Sequence, residues 1–319
     1  MPANSSEPFI AIDFWIPYSD IVIERNNNHQ EYEKKINELL ESKDVPVVLF
    51  LKTDLLPAYF ELLFSLENPY ILITASNDDH CPPYLNHPPP DETDEMKYMA
   101  LLEKPEMLFW FAKNPCIKHR KLSAYPLGPK WQWKTTRFFG EDKAEHLSIY
   151  NKLCKTPRES MSSGRSSKPN LLYLNFNNTT GNPLYSSHRG IRNSIKQELL
   201  KRFSWNESQN FNAYMHTLST HKFCISPPGR GIDTHRCWEA LMMGTIPLVC
   251  STPIDYLFEN LPVIIIQDWT TVTEEFLNTQ YEIILKNVDQ YNFDILYTPY
   301  WTKMLSSKKK DHDVGCPPL

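Results

Sequence analysis

The segment 223–250 constrains the fold of this chain most, because it predicts a strand, a tight loop, a helix and a second strand in direct succession. The apolar run Phe223–Ile225 precedes a proline pair, which is typical of a buried strand. Thr234–Met243 predicts a helix with Asp233 as its N-cap and Gly244 at its end. Three of the chain's nine glycines fall in this segment, so backbone geometry is expected to matter here.

The start of that helix is predicted to bind an anion. Gly229 and Gly231 flank Arg230 in a loop where the backbone can approach a ligand closely. The helix N-terminus adds unpaired N–H groups and about half a positive charge. The residues of this segment predicted to bind the ligand are Ser226, Gly229, Arg230, Gly231, Asp233, His235, Arg236 and Glu239.

Arg236 and Glu239 are three residues apart and therefore share one face of the predicted helix. A cation one turn before a carboxylate suits a nucleoside diphosphate, because the cation meets the phosphates and the carboxylate accepts hydrogen bonds from the ribose hydroxyls. The alternative is an ordinary surface ion pair, worth about 0.3–0.5 kcal/mol. The agreement of the glycine loop, the helix cap and the flanking strands favours the ligand.

The stretch SPPGRGIDTHRCWEALMMGTIPLV at 226–249 resembles the C-terminal motif of the exostosin-like glycosyltransferases, glycosyltransferase family 47. It is most similar to compact, virus-encoded, xylosyltransferase-like members. Looser matches lie at 71–84, 110–128, 171–183 and 261–269. The resemblance implies a GT-B fold, which is α/β with two Rossmann-like domains facing across a cleft. It also implies inverting transfer from a nucleotide sugar to a glycan or glycoprotein acceptor, with no catalytic metal and no other cofactor.

The resemblance also has implications for the nucleotide and the sugar of the donor. It implies UDP as the nucleotide, and the similarity to the compact members favours UDP-xylose. Galactose, glucuronic acid and N-acetylglucosamine also occur as donor sugars in the wider family, so the sugar stays open.

Two carboxylates, Asp78 and Asp79, follow the strand predicted at 68–74, and they stand between Asn77 and His80. Inverting transfer needs a general base near the acceptor hydroxyl, and parallel sheets bind ligands at the carboxyl ends of their strands. The family pattern resembles an asparagine followed two positions later by an aspartate, which implies Asp79 as the base and Asp78 as the next choice. His80 is predicted to bind the acceptor. The alternative is plain turn chemistry before the following prolines.

Asp54 is the runner-up base and a further acceptor-binding candidate. It follows the strand predicted at 46–51 and would lie on the same edge of the sheet. The alternative is that Asp54 caps a helix beginning at Leu55.

Further donor-binding residues are predicted after the first strand of the second domain. The strand 170–176 ends at Asn177, and Arg189 and Arg192 follow on a predicted helix. One of these arginines is expected to reach the diphosphate, and we favour Arg189. The alternative for both is a solvated helix face. Asp268 either lies near the donor sugar or caps the next helix.

The order of strands and helices predicts two parallel α/β domains. The expected limits are 1–155 for an acceptor-binding domain and 170–290 for a nucleotide-sugar-binding domain. The serine-rich, basic stretch 156–169 is predicted to be a flexible linker. The aromatic segment 291–319 is predicted to pack back on the N-terminal domain.

Composition excludes some classes of protein. The net charge of −5 argues against nucleic acid as a partner. No apolar run approaches the roughly 20 residues that span a bilayer, and no signal peptide is visible at the start. We therefore expect a soluble, cytoplasmic protein, and the alternative is a Golgi lumenal catalytic domain without its anchor. The seven cysteines show no CxxC spacing, so no metal site is expected, and Cys224, Cys237 and Cys250 are predicted to be inert core thiols.

Two other functions stay open. A nucleotide-sugar epimerase can use a GT-B-like fold. A catalytically inactive nucleotide- or glycan-binding protein would keep Arg236 and Glu239 but would not need Asp78 or Asp79.

Overall fold

The computed structural model describes residues 14–24, 29–42, 46–75, 92–130, 152, 156–162, 168–177, 186–229 and 231–310. The chain divides into two compact units, each built on a parallel sheet. The N-terminal unit comprises Ile12–Tyr125 and Thr298–Leu319, and the C-terminal unit includes Pro126–Tyr297.

Five described strands form the sheet of the N-terminal unit, in the order β1-β2-β3-β4-β5, with every pair parallel. They are β1 (Ile21–Ile23), β2 (Val47–Lys52), β3 (Tyr70–Ala75), β4 (Met107–Ala112) and β5 (Leu122–Ala124). The helices between them are α1 (His29–Ser42), α2 (Leu56–Ser65) and α3 (Glu92–Glu103). Every residue of β3 is buried, as expected of a central parallel strand covered on both faces.

Four described strands form the sheet of the C-terminal unit, again parallel and in chain order. They are β6 (Asn170–Tyr173), β7 (His221–Ile225), β8 (Ile246–Cys250) and β9 (Ile264–Ile266). The helices are α4 (Pro157–Ser162), α5 (Ser186–Leu199), α6 (Phe211–Thr220), α7 (His235–Met242) and α8 (Glu274–Lys286). The predicted succession of strand, loop, helix and strand at 223–250 is therefore confirmed as β7, α7 and β8.

Gly244 ends α7 as predicted, because its φ of +64° lies in the left-handed region. A Cβ atom at this position would lie 2.7 Å from the backbone nitrogen of Met161, so the site excludes a side chain on steric grounds as well.

The expected fold class, α/β with two Rossmann-like domains, is confirmed by the two parallel sheets. Strand β1 was not predicted from the sequence. The strand predicted at 8–14 falls almost entirely outside the described residues.

The limits of the two units differ from those predicted. The division falls between Tyr125 and Pro126, and not at 155. Part of the predicted linker is ordered as α4, because Met161 is fully buried and Arg158 donates hydrogen bonds to the carbonyl oxygens of Val288 and Tyr291. Charge and serine content suggested a solvated linker, but these buried and bonded residues attach α4 to the C-terminal unit.

The C-terminal segment returns to the N-terminal unit as predicted, although it does so from Thr298 and not from 291. It forms α9 (Thr298–Lys310). Trp301 is 2% exposed and packs edge-on against Tyr125, with ring centroids 6.5 Å apart. The ammonium of Lys308 lies over the ring of Phe109.

Within the described part of the chain, no helix combines the length and the apolar character needed to cross a bilayer. Cys224 and Cys237 are buried thiols as predicted, and Cys250 is partly buried. Burial raises the pKa of Cys224 to about 12 and that of Cys250 to about 11, so both thiols stay protonated near neutral pH.

Candidate functional site

A cavity of about 940 Å³ opens in the C-terminal unit at the carboxyl edge of its sheet. Its walls come from the residues after β6, from α5, from the segment 205–211, from the residues after β7 and from the first turns of α7. Parallel sheets bind ligands at this edge, where loops follow the strands. The segment 223–250 therefore meets other parts of the same unit at one cavity.

The first turn of α7 is capped by Thr234 and not by the predicted Asp233. The Oγ1 atom of Thr234 accepts a hydrogen bond from the backbone nitrogen of Cys237 at 3.4 Å. The same oxygen lies 2.6 Å from Oγ of Ser226, so the end of β7 is tied to the start of the helix. Both hydroxyl residues line the cavity.

Asp233 has a structural role that the sequence did not reveal. Its carboxylate is 5% exposed and accepts hydrogen bonds from the indole nitrogen of Trp238 and from the backbone nitrogen of Leu127. These donors hold the carboxylate in place, and Asp233 is not among the described residues that line the cavity, so its role in donor binding stays a prediction.

The glycines of the loop also differ from expectation. A Cβ atom on Gly229 would lie 3.1 Å from Nη2 of Arg192, so Gly229 makes room for a guanidinium of its own chain. Gly229 and Gly231 are absent from the described lining of the cavity, and the Gly229 nitrogen donates to the Gly231 carbonyl at 3.0 Å. The two glycines shape the loop, and their contact with a ligand stays a prediction.

Arg192 lies in the wall of the cavity and is 7% exposed. It donates hydrogen bonds to the carbonyl oxygens of Pro228 at 2.6 Å, Asn177 at 2.6 Å and Pro227 at 3.2 Å. Burial, with a further contribution from the charge of Arg236, lowers the pKa of Arg192 to about 10. The guanidinium is still protonated at neutral pH.

Arg236 presents a second guanidinium to the same cavity. The group lies over the rings of Tyr214 and Tyr173, with 5.5 Å and 5.9 Å to the ring centroids. Its Nη1 atom is buried and donates no hydrogen bond to any residue that the structure describes. A buried charged donor without a partner is costly, so the site lacks a group that a ligand would supply.

Glu239 lies one turn beyond Arg236, but the two do not form the surface ion pair of the alternative interpretation. Glu239 is 4% exposed. Its Oε2 accepts a hydrogen bond from the hydroxyl of Tyr214 at 2.9 Å, and its Oε1 accepts one from the backbone nitrogen of Lys130 at 3.2 Å. A carboxylate has about four acceptor positions, so about two of them are left for further donors.

Two further residues that were predicted to bind the donor, His235 and Asn177, also line the cavity. The Nδ1 atom of His235 lies 2.7 Å from the carbonyl oxygen of Gly128, which orients the ring. The carbonyl of Asn177 is held by Arg192.

Aromatic residues in the cavity wall were not predicted. Trp205 packs against Phe176 with ring centroids 5.2 Å apart, and the ammonium of Lys196 lies 4.1 Å from the centroid of the Trp205 ring. Tyr173 and Tyr214 form the surface beneath Arg236. Aromatic side chains alone do not distinguish core from site, so the sequence carried no specific signal for these residues.

Several predicted residues lie outside the described part of the chain: Asp78, Asp79, His80 and Arg230, together with the side chain of Arg189. Their roles stay predictions.

Asp54 lies at the carboxyl edge of the N-terminal sheet, as predicted. It is exposed in a 3-10 turn (Thr53–Leu55) directly after β2. Thr53 ties this turn to the end of β3 by a hydrogen bond of 3.1 Å to the carbonyl of Ala75. The side chain of Asp54 does not cap α2, whose N-cap residue is Leu55. Its role with an acceptor stays a prediction.

Asp268 caps a 3-10 turn by accepting a hydrogen bond from the Thr270 nitrogen at 2.9 Å. This agrees with the capping alternative. Among the described residues, no group of three His, Cys, Asp or Glu side chains is arranged to hold a metal ion.

No protein-family model matches the chain, and no curated protein sequence matches it. Similar solved structures include a UDP-forming α,α-trehalose-phosphate synthase from Burkholderia xenovorans, with a TM-score of 0.39, 8% identity, and coverage of 94% of this chain and 85% of that chain. Another is a sucrose-phosphate synthase from Thermosynechococcus elongatus, with a TM-score of 0.40, 14% identity, and coverage of 92% and 81%.

Proposed function

We propose that the protein is a glycosyltransferase that uses a nucleotide sugar, and that the cavity of the C-terminal unit holds the donor diphosphate. The observation that carries this proposal is the buried Nη1 atom of Arg236, which has no partner among the described residues. A phosphate oxygen beside α7 would supply that partner and would also face the helix N-terminus.

The rest of the cavity supports a nucleotide as the ligand. The remaining acceptor positions of Glu239 suit the hydroxyls of a ribose, and Tyr173, Trp205 and Phe211 offer aromatic surface for flat rings. The volume of about 940 Å³ lies within the range of about 300–1,000 Å³ that is usual for ligand pockets.

The proposed reaction is a direct displacement with inversion, in a GT-B enzyme of the exostosin-like type. The acceptor hydroxyl loses its proton to an aspartate base, and its oxygen forms a bond to the anomeric carbon. The bond from that carbon to the diphosphate oxygen breaks, and the electron pair leaves with the diphosphate. Asp79 is the proposed base, with Asp78 and Asp54 as the other candidates, and UDP-xylose is the preferred donor.

The proposal is tested by calorimetric titration of UDP and of GDP into the wild-type protein without added metal, and into Arg236→Met and Glu239→Gln. Each substitution should weaken binding about tenfold to a hundredfold, because a hydrogen bond to a charged group contributes about 1.5–3 kcal/mol. Lys201→Met is the matched control, since Lys201 is exposed beyond α5 and pairs with Glu198.

Unchanged affinity in both variants, with the fold intact, would remove the donor site. Binding with transfer to a glycan acceptor supports the transferase. Conversion of the free nucleotide sugar to an epimer would indicate an epimerase, and binding without any turnover would indicate an inactive binding protein.

A further inference from the structure

Arg192 joins the two segments that follow neighbouring strands of the C-terminal sheet. One of its hydrogen bonds reaches Asn177, beyond β6, and two reach Pro227 and Pro228, beyond β7. These bonds use three of the five N–H groups of the guanidinium. Because Gly229 has no side chain, the loop that leads to α7 can pack closely against this guanidinium.

The charge of Arg192 is not neutralised by these bonds. All of its hydrogen bonds to described residues go to backbone carbonyls, which carry no net charge. Arg236 brings a second, partly buried guanidinium to the same cavity, and the two charges repel each other. The residues that line the cavity carry four positive charges, on Lys130, Arg192, Lys196 and Arg236, and two negative charges, on Glu207 and Glu239. This excess of positive charge favours a ligand with more than one negative charge.

Resting on the proposed function, we infer that Arg192 is the positioning residue of the diphosphate site. It holds the loop between β7 and α7 in place through Pro227 and Pro228, and it adds the second charge that makes the site prefer pyrophosphate to phosphate. The predicted contact of Arg189 with the diphosphate stays a prediction beside this one, because its side chain lies outside the described residues. Arg192 is suited to this role because it lines the cavity and three of its five N–H groups are used by the carbonyl oxygens, which leaves two for a ligand.

The test measures the affinity of inorganic pyrophosphate, inorganic phosphate and UDP for the wild-type protein, Arg192→Met and Arg192→Lys by calorimetry. Arg192→Met should bind pyrophosphate about tenfold to a hundredfold more weakly, as expected for lost charge-assisted hydrogen bonds. Its pyrophosphate affinity should also depend less steeply on salt than that of the wild type, because one charge has been removed. Arg192→Lys keeps the positive charge but loses the planar guanidinium with its paired N–H donors. Its affinity for pyrophosphate should therefore lie between those of the wild type and Arg192→Met.

Two controls separate positioning from general stability. Added guanidinium ion should restore part of the pyrophosphate affinity of Arg192→Met, which a loss of folding would not allow. Lys201→Met removes a charge just beyond the same helix and should bind all three ligands as the wild type does.

If Arg192→Met bound pyrophosphate as tightly as the wild type and Arg236→Met bound it more weakly, the inference would be overturned. The proposed function would still stand. If the wild-type protein bound neither pyrophosphate nor UDP, the proposed function would fail and this inference with it. If Arg192→Met does not fold, Arg192→Lys decides, and an unchanged pyrophosphate affinity in that variant overturns the positioning role.

Discussion

The hydroxyl of Tyr214 donates a 2.9 Å hydrogen bond to Oε2 of Glu239, and this bond joins α6 to α7 in the wall of the cavity. Burial, and then the charge of Glu239, raises the pKa of Tyr214 well above its usual value. The phenol therefore stays protonated at physiological pH and keeps donating to the carboxylate. Glu239 is held in one orientation before any ligand arrives.

Removing this hydroxyl should affect both stability and binding. Tyr214→Phe leaves one oxygen of the buried Glu239 without its donor, so we expect the unfolding free energy to fall by about 1–3 kcal/mol. UDP binding should weaken as well, because the carboxylate is no longer oriented. Urea unfolding and calorimetry measure the two effects. Tyr18→Phe, at an exposed position, should change neither, and a Tyr214→Phe protein with wild-type stability would contradict the prediction.

Lys168 is predicted to be essential for the stability of the C-terminal unit. It is 1% exposed, and its ammonium donates to the carbonyls of Ser219 and Met243 at 3.0 Å and to Oγ1 of Thr245 at 3.1 Å. Lys168→Met should lower the unfolding free energy by about 3 kcal/mol, because buried acceptors lose a charged donor. Thermal and urea unfolding test this, and a loss no greater than that of Lys201→Met would contradict it.

Two glycines should respond in opposite directions to the same substitution. Gly244→Ala places a side chain in the left-handed region and 2.7 Å from a backbone nitrogen, so a loss of at least about 1–2 kcal/mol is expected. Gly190 lies in α5, and a Cβ atom added there would have no other atom within 4 Å. Gly190→Ala should therefore stabilise the protein by about 0.5–1 kcal/mol, because alanine is favoured over glycine inside a helix. Comparison of the two melting temperatures provides the test, and equal shifts would refute the conformational explanation.

Stability should decline at alkaline pH. Burial raises the pKa of Tyr70, Tyr125, Tyr173 and Tyr214, so the folded protein keeps these protons after the unfolded chain has lost them. Their contribution is complete below the unfolded pKa of about 10 and is lost as the pH rises beyond it, by up to about 1.4 kcal/mol per pH unit for each tyrosine.

Urea unfolding at about pH 8 and about pH 10.5 measures this difference, and tyrosinate absorbance shows whether the phenols ionise only on unfolding. Equal unfolding free energies at the two values would contradict the prediction.

The proposed base is tested by Asp79→Asn and Asp78→Asn. Loss of a general base lowers the rate of the catalysed step by about a hundredfold to ten-thousandfold. Asp79→Asn should therefore lose sugar transfer while it binds UDP as the wild type does, and Asp78→Asn should keep most of its turnover. Single-turnover assays with a UDP-sugar and calorimetry supply the two readings. If Asp78→Asn lost sugar transfer and Asp79→Asn kept it, the base would be Asp78.

Much of the α/β organisation could be read from local patterns. Apolar runs such as 47–51 and 70–73 predict central parallel strands, because a strand covered on both faces tolerates few polar residues. Gly244 at the end of α7 was predictable for a similarly local reason, since the left-handed region selects glycine. Six of the residues that line the cavity lie within one short segment of the chain: Ser226, Pro227, Thr234, His235, Arg236 and Glu239.

The tertiary structure decided the roles that depend on distant partners. Asp233 and Thr234 are both good N-cap residues by type, and the contacts of Asp233 with Leu127 and Trp238 leave the cap to Thr234. Arg189 and Arg192 looked alike in sequence, and only the packing around Gly229 shows Arg192 in the cavity wall.

The limits of the two units also depend on contacts between residues that are far apart in the chain. The strand, helix and strand of the segment 223–250 were predictable from the sequence, because they depend on neighbours along the chain. Long-range contacts assigned α4 and α9 to their units, oriented Glu239 through Tyr214 and left Nη1 of Arg236 without a described partner. Such contacts join residues far apart in the chain, so no local pattern encodes them.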